Sequence, residues 1–192
     1  MSKIVLERIQ AKFPDAVIET HSQCGDDTVL VKPESWKAIC SWLKTDPRMD
    51  FDMLVDLCGV DYPDRGAQKQ RVEVVALLLS IAKRHRLRIK ARVGDEDMVG
   101  AEIDSVTPIW SGANWFERET FDMMGIVFIG HPDLRRILMY PEFVGHPLRK
   151  DYPADRTQPL VPFREGYEKL PPFDEFEGMS FGRQVFRSGK VD

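Results

Sequence analysis

The chain has 192 residues, of which 43% are hydrophobic and 30% are charged, and its formal net charge is −4 at neutral pH. This balance fits one soluble domain with room for an appended segment, and the net negative charge argues against a general nucleic-acid binder. No apolar run approaches the roughly 18 residues that a membrane-spanning helix needs, and the first residues lack the features of a signal or transit peptide. We therefore expect a mature protein that begins at Met1 and works in a bacterial cytoplasm or an equivalent compartment.

The first part of the chain predicts a helix followed by two strands. Ser2 can cap this helix, and Pro14 ends it. Between them, Val5, Ile9 and Phe13 recur near the helical period of 3.6 residues. Alternation and turn residues then predict a strand over 16–20, a turn over 23–27 and a returning strand over 28–31.

A second helix and three strands are predicted next. Pro33 suits the first turn of this helix, and Asp46-Pro47 ends it. Its apolar face repeats at helical spacing through Trp36, Ile39, Cys40 and Leu43. Apolar content then predicts strands over 52–60, 72–81 and 86–93, with a loop over 61–66 after the first of them.

The last of these strands alternates strictly. One face carries Leu87, Ile89, Ala91 and Val93, and the other carries Arg86, Arg88, Lys90 and Arg92. Such a strand has one buried face and one wet face. The basic run over 83–88 is most simply a solvated face, with a patch for an acidic partner or for nucleic acid as alternatives. The order of elements predicts a two-layer α+β domain, with a mixed sheet and helices packed on one side.

A stronger helix is predicted after the strands. Asn114 is expected as its N-cap and Gly125 as the residue just past its C-terminus. Glu117 would then take the third helical position of a capping box with Asn114. Shorter elements are expected around this helix: an acidic loop over 94–101, a short helix over Ser105–Trp110 and a strand over 126–129.

The composition changes after Pro153. The remaining stretch is rich in proline and phenylalanine and keeps no helical or strand period. Proline disfavours a packed regular element, yet so many aromatic residues are unusual in a disordered tail. Each buried Phe contributes about 1.5–3 kcal/mol, so several of them together could fix an extended arm. We predict a domain over 1–153 and an extended C-terminal arm over 154–192, docked either on its own domain or on another protein.

Sequence motifs for cofactors and catalysis are absent. There is no glycine-rich nucleotide loop, no G-x-S-x-G and no H-E-x-x-H. Cys24, Cys40 and Cys58 include no close pair, which argues against a disulfide framework and against a Cys-ligated zinc or iron–sulfur site. Glu119 and Asp122 stand three positions apart, but a di-iron site needs Glu-x-x-His pairs on several helices. A solvated or ion-paired helix face is therefore favoured for these two carboxylates.

Two Gly-His-Pro triplets stand fifteen positions apart, around His131 and His146. A residue before proline is restricted to extended backbone, so each triplet fixes a bend and the direction of its histidine. Basic clusters follow the two triplets, Arg135-Arg136 and Arg149-Lys150. Rigid turns with hydrogen-bonded histidines are the leading interpretation. Partner contacts through guanidinium groups and a catalytic or ligand-binding pair are the alternatives.

The segment from Asn114 to Asp151 resembles the 30 kDa subunit (designated C) of proton-pumping NADH–quinone oxidoreductase, which is respiratory complex I. A Glu-Arg-Glu helix, a His-Pro-Asp-Leu-Arg-Arg turn and a Gly-His-Pro-Leu-Arg-Lys-Asp turn occur in family order and at family spacing. The sequence resemblance is strong over 72–153 and weak beyond Pro159. Over 1–64 only the predicted order of helices and strands resembles the family. The residues that carry it, and that we expect to form a partner interface, are Trp115, Glu117, Arg118, Glu119, Asp122, Gly125, His131, Pro132, Arg135, Arg136, His146, Pro147, Arg149, Lys150 and Asp151.

The resemblance implies a fold with the order helix, two strands, helix, three strands, which agrees with the order predicted above. It implies a subunit with no flavin, iron–sulfur cluster, metal, quinone site or catalytic residue of its own. The expected place is the peripheral arm of the complex, on the cytoplasmic side of the bacterial inner membrane. There the protein would contact the large hydrogenase-like subunit and the cluster-bearing subunit that lies next to it. The whole complex passes electrons from NADH through FMN and iron–sulfur clusters to quinone and pumps protons.

Two other functions are open at this point. The chain could be the equivalent subunit of a related membrane-bound hydrogenase, or of a plastoquinone- or F420-linked dehydrogenase. It could also be a stand-alone enzyme that uses His131 and His146.

Overall fold

The computed structural model describes residues 3–63 and 70–161 of the chain. The proposed Ser2 cap, part of the loop over 61–66 and most of the C-terminal arm lie outside these residues. The compact unit that contains the described elements ends at Gln158. In chain order its elements are α1 (Lys3–Lys12), β1 (Val17–Gln23), β2 (Asp26–Val31), a 3₁₀ turn (Pro33–Ser35), α2 (Trp36–Thr45), β3 (Met53–Asp61), β4 (Val72–Ser80), β5 (His85–Val93), β6 (Glu102–Asp104), α3 (Ala113–Met124) and β7 (Val127–Ile129).

Five strands form the main sheet, in the order β1-β2-β5-β4-β3. Neighbouring strands are antiparallel except β2 and β5, which are parallel. The parallel pair requires a crossover, and α2 with β3 and β4 lies between β2 and β5 in the chain. A separate two-stranded parallel sheet joins β6 to β7. The predicted α+β fold with a mixed sheet is confirmed.

One face of the main sheet forms the core with the helices. Alternate residues of β4 and β5, among them Val74, Leu78 and Ile89, point to this face and are buried. The predicted apolar face of α2 is confirmed, because Trp36, Ile39, Cys40 and Leu43 are all buried in the same cluster. Side chains of α1 and α3 join that cluster as well.

The opposite face of the sheet is less exposed to solvent than the alternation of β5 predicts. Lys90 and Arg92 are half-buried and pair with the buried carboxylate of Glu73 on β4, with N–O distances of 3.3 and 3.1 Å. Arg88 pairs with Asp26 of β2 at 3.3 Å. These basic side chains therefore lie along the sheet in cross-strand ion pairs, because oppositely charged residues face each other on neighbouring strands.

Two local predictions before and at α3 are wrong. Residues Ser105–Trp110 do not form a helix; they form a turn, in which the amides of Ile109 and Trp110 both donate to the carbonyl of Val106. The N-cap of α3 is Gly112, so Asn114 lies inside the first helical turn and caps nothing with its side chain. The prediction that Gly125 follows the C-terminus of this helix is confirmed, and its φ is +79°.

Candidate partner interface

Helix α3 packs closely against β3, and Gly59 on that strand makes the approach possible. A Cβ at Gly59 would lie 2.9 Å from the Ile126 Cδ1 and 3.2 Å from the Thr120 Cγ2. The Thr120 hydroxyl donates to the Leu57 carbonyl at 3.4 Å. The sheet therefore fixes α3, and α3 in turn holds residues 130–152, which we call the signature loop.

The first buried carboxylate of α3 belongs to Glu117. Its two oxygens accept hydrogen bonds from the Ser105 hydroxyl (2.6 Å), the Val106 amide (2.7 Å) and the Thr107 hydroxyl (3.2 Å). Glu117 thus holds the turn that precedes α3 and does not form the predicted capping box with Asn114. Burial raises the pKa of its carboxyl group, although these neutral donors oppose the rise.

His131 lies beside Glu117 and fixes the start of the signature loop. The Asp133 amide donates to its Nδ1 at 3.0 Å, so Nδ1 is an acceptor and the proton lies on Nε2. Nε2 then donates to the Asn114 carbonyl at 3.1 Å and stands 4.0 Å from a Glu117 oxygen. The first Gly-His-Pro triplet is therefore a turn bound to the N-terminal end of α3.

The second buried carboxylate, Asp122, organises the centre of the signature loop. One of its oxygens accepts three successive backbone amides, those of Ile137 (3.1 Å), Leu138 (2.8 Å) and Met139 (2.8 Å). The other accepts from the Arg136 guanidinium at 2.7 Å. Burial alone would raise the pKa of Asp122, but these amides and the guanidinium outweigh burial and lower it.

Two arginines extend this network to neighbouring backbone. Arg136 also donates to the Gly145 carbonyl at 3.1 Å, so one side chain links α3 to both halves of the signature loop. Arg118 donates to the carbonyls of Arg135 and Arg136, at 3.1 and 3.2 Å. Both guanidinium groups are thus committed to contacts within the chain.

The second Gly-His-Pro triplet covers the C-terminal end of α3. His146 Nδ1 donates to the Asp122 carbonyl at 2.9 Å, and Arg149 Nε donates to the Met124 carbonyl at 2.7 Å. These donors satisfy helix carbonyls that have no partner within the helix. A Cβ on Gly125 would lie 2.7 Å from the His146 ring, so the fit requires glycine. Burial lowers the pKa of His146.

A third buried carboxylate, Asp61 at the end of β3, anchors the end of the signature loop. Both of its oxygens accept from Arg71 at 2.7 Å, a bidentate pair. It also accepts the Lys150 amide at 2.9 Å, and Arg71 reaches Asp151 at 3.2 Å. Burial would raise the pKa of Asp61, but Arg71 and the Lys150 amide outweigh it, and the pKa is lowered.

The fifteen residues predicted for a partner interface therefore differ in what they can contact. Glu117 and Asp122 are fully buried and bind their own chain. The partly buried residues are Arg118, Gly125, His131, Arg136, His146, Pro147 and Arg149. The exposed residues are Trp115, Glu119, Pro132, Arg135, Lys150 and Asp151.

Sequence reasoning missed both buried supports and exposed apolar side chains. Asp61 ends an apolar strand, but nothing in the sequence signals a contact with an amide 89 positions later. Leu138 and Leu148 lie on the signature loop, and each side chain is 58% exposed. The Leu138 amide donates to the Asp122 carboxylate, and the Leu148 amide donates to the Met123 carbonyl. Val144 on the same loop is 46% exposed and Trp115 on α3 is 69% exposed, so Trp115, Leu138 and Leu148 are the most exposed large apolar side chains of this region.

The geometry does not bring the two histidines together. They bind carbonyls eight residues apart on α3, which corresponds to about 12 Å along the helix axis. Glu119 is exposed, whereas the Asp122 carboxylate is buried and bound by Arg136 and three amides. Within residues 3–63 and 70–161 no group of three or more His, Cys, Asp or Glu side chains could hold a metal ion. In the same residues no helix is long and apolar enough to span a bilayer.

Comparisons with known proteins identify relatives of this chain. Residues 29–158 match the family described as the 30 kDa subunit of respiratory-chain NADH dehydrogenase. The C-designated NADH-quinone oxidoreductase subunit of Roseiflexus castenholzii is 45% identical over 161 residues, 84% of this chain and 89% of that one. Its counterpart in Bordetella petrii is 48% identical over 148 residues, 69% of each chain.

Two solved structures resemble the fold. The trypsin-resistant fragment of Nqo5 aligns with a TM-score of 0.58 and 32% identity, covering 69% of this chain and 98% of that one. A chain of the membrane-bound sulfane sulfur reductase, an archaeal respiratory membrane complex, aligns with a TM-score of 0.66 over 88% of this chain and 98% of that one. Its identity of 22% makes the second similarity one of fold alone.

Proposed function

Because the chain belongs to the family of the 30 kDa subunit of respiratory-chain NADH dehydrogenase, we propose that it is a scaffold subunit of the peripheral arm of a proton-translocating NADH–quinone oxidoreductase. In this role it holds a rigid docking surface toward the quinone-reducing module. The relatives that are named as NADH-quinone oxidoreductase subunits favour this function over a related hydrogenase or a plastoquinone- or F420-linked dehydrogenase.

One observation supports docking most directly. Three buried carboxylates, Glu117, Asp122 and Asp61, use their hydrogen-bonding capacity to fix the signature loop and the turn before α3. A loop that is already ordered loses little conformational freedom on association, so its contacts yield more affinity. Trp115 on α3 is exposed, as are Leu138 and Leu148 on the signature loop. Exposed tryptophans of this kind often contribute most of the binding energy of an interface.

The partners that we propose are the large hydrogenase-like subunit and the cluster-bearing subunit of the complex. The exposed cations of the signature loop include Lys150 and Arg135, which pairs with Asp133 at 2.9 Å, and exposed cations can meet carboxylates at the rim of an interface. We assign to this chain no flavin, cluster, quinone or metal; FMN, iron–sulfur clusters, NADH and quinone belong to the rest of the complex. Its proposed location is the cytoplasmic side of the inner membrane, reached through the other subunits.

Co-purification tests this proposal. The chain is expressed with tagged forms of these two partners, and the double variant Trp115→Ala/Leu148→Ala is compared with the unsubstituted chain. Removing two exposed anchors should reduce recovery with the tagged partners at least about tenfold, because one interface hot spot is worth about 2 kcal/mol or more. The melting temperature should stay unchanged, since both side chains are exposed.

Val99→Ala is the matched control, because Val99 is an equally exposed apolar residue on the separate loop after β5. Recovery of the double variant at the level of this control would refute the proposed surface. Visible absorption from a flavin or a cluster in the pure, isolated chain would refute the assignment of no redox centre.

A further inference from the structure

A second exposed surface lies at the hairpin between β4 and β5, away from the signature loop. Leu78 points into the core, so its neighbour Leu79 points to the opposite face of the sheet, beside Met53 of β3. Ile81 at the hairpin turn is 60% exposed, and Met53 is 43% exposed. The Ile81 amide donates to the Asp52 carboxylate at 3.0 Å, which keeps Ile81 next to Met53.

Three basic residues belong to the same hairpin: Arg86 faces Leu79 across the two strands, and Lys83 and Arg84 follow Ile81 in the turn, while the one carboxylate known to lie here, Asp52, is bound to the Ile81 amide. Lys83, Arg84 and Arg86 are exposed, and none of them forms an ion pair with another residue in the described ranges. Arg88, the next basic residue, differs because it pairs with Asp26. We define the hairpin surface by its six residues, Met53, Leu79, Ile81, Lys83, Arg84 and Arg86.

The hairpin surface is held in one shape. His85 Nε2 lies 2.7 Å from the Met49 carbonyl, and its ring stands 4.6 Å from the Phe51 ring. The Lys83 amide donates to the Ser80 hydroxyl at 3.3 Å, and Arg84 takes a left-handed φ of +53° to complete the turn. A positive φ at a bulky side chain is costly, so the surrounding contacts must determine this turn. Binding here would need little ordering.

We propose that the hairpin surface binds an acidic segment of another subunit, a segment that carries at least one apolar side chain against Ile81 and Met53. Carboxylates would pair with Lys83, Arg84 and Arg86, which have no ion pair within the part of the chain that the structure describes. A nucleic acid fits less well, because the surface has no aromatic ring for base stacking and the chain is net negative. The same net charge of −4 opposes binding to an anionic bilayer. This inference rests on the proposed membership of a multisubunit complex.

Photo-crosslinking in the purified complex tests the inference. A photoreactive amino acid replaces Ile81, the chain is co-expressed with the other subunits, and the crosslinked peptide is identified by mass spectrometry. We expect a peptide of another subunit in which Asp or Glu flanks an apolar residue. The variant Lys83→Glu/Arg86→Glu should lower the crosslink yield about five- to tenfold, since each exposed ion pair adds a modest free energy.

Two matched controls accompany this experiment. Lys12→Glu/Lys32→Glu makes the same change of charge at exposed lysines far from the hairpin in sequence and should leave the yield unchanged. The photoreactive residue at Val99 should give a different peptide or none. A crosslink to lipid, to nucleic acid or to a segment without carboxylates would overturn the inference. So would the absence of a crosslink in a complex that assembles normally. Failure of the unsubstituted chain to join any complex would overturn the proposed function together with this inference.

Discussion

The two ends of α3 each bury a carboxylate, but they satisfy it in different ways. Glu117 and Asp122 are both fully buried and lie five residues apart. Glu117 accepts only from neutral groups, two hydroxyls and one amide, and burial raises its pKa. Asp122 accepts from three amides and a guanidinium, and these contacts lower its pKa. One helix thus uses a carboxyl group bound by neutral donors to fix a turn, and a carboxylate paired with a guanidinium to fix a long loop.

The largest effect is expected from Asp122→Ala, which tests the charged end. The substitution leaves three amides and the Arg136 guanidinium without their acceptor, and breaking a buried ion pair costs about 3–5 kcal/mol. Urea denaturation should show this loss in the free energy of unfolding. Glu119→Ala on the same helix is the control, and it should change stability by less than about 0.5 kcal/mol, because Glu119 is exposed. Equal losses in the two variants would contradict the role of Asp122.

A smaller effect is expected from Gly125→Ala, which tests the fit between the C-terminal end of α3 and the second Gly-His-Pro turn. Gly125 and Gly130 have the same φ of +79°, but a Cβ meets the His146 ring only at Gly125. Gly130→Ala should cost about 1 kcal/mol from backbone strain, and Gly125→Ala about 2–4 kcal/mol, because overpacking is added. Thermal or urea unfolding measures both. An equal loss of stability in the two variants would mean that the turn around His146 shifts without cost to make room for the added methyl group.

The smallest effect is expected in the pH dependence of stability, which we compare between the variants Glu117→Gln and Asp122→Asn. The lowered pKa of Asp122 means that its contribution is complete above about pH 3.9 and is lost as the pH falls through its folded pKa. The raised pKa of Glu117 means that its ionisation costs stability as the pH rises from about 4.3 through its folded pKa.

The destabilisation caused by Asp122→Asn should therefore shrink in acid, and that caused by Glu117→Gln should shrink as the pH rises. Urea denaturation between about pH 3 and 8 measures both changes, and the two should run in opposite directions with pH. If the destabilisation caused by the two substitutions changed with pH in the same direction, the proposed difference between Glu117 and Asp122 would be wrong.

The sequence predicted the elements whose pattern is repeated along the chain. The apolar face of α2 and the alternation of β5 are periodic, so they identify a buried face without knowledge of the partner. The turn at Ser105–Trp110 was misassigned because its conformation depends on Glu117, a contact between elements. The site followed the same rule. The motifs predict which residues to consider, but their division into buried and exposed ones depends on contacts such as Asp61 with Lys150, which no local pattern contains.

The anchoring of the signature loop on Asp61 also sets an order of events during synthesis. Asp61 leaves the ribosome 89 residues before Lys150, so at about 5–20 residues per second the strand end waits for about 4–18 s. Arg71, ten residues behind Asp61, can satisfy the carboxylate in the meantime. The contact that closes the signature loop on Asp61 can form only after Lys150, 89 residues later, has been synthesised. The surface that we propose for docking, with Leu138 and Leu148, therefore cannot be completed until late in the synthesis of the chain.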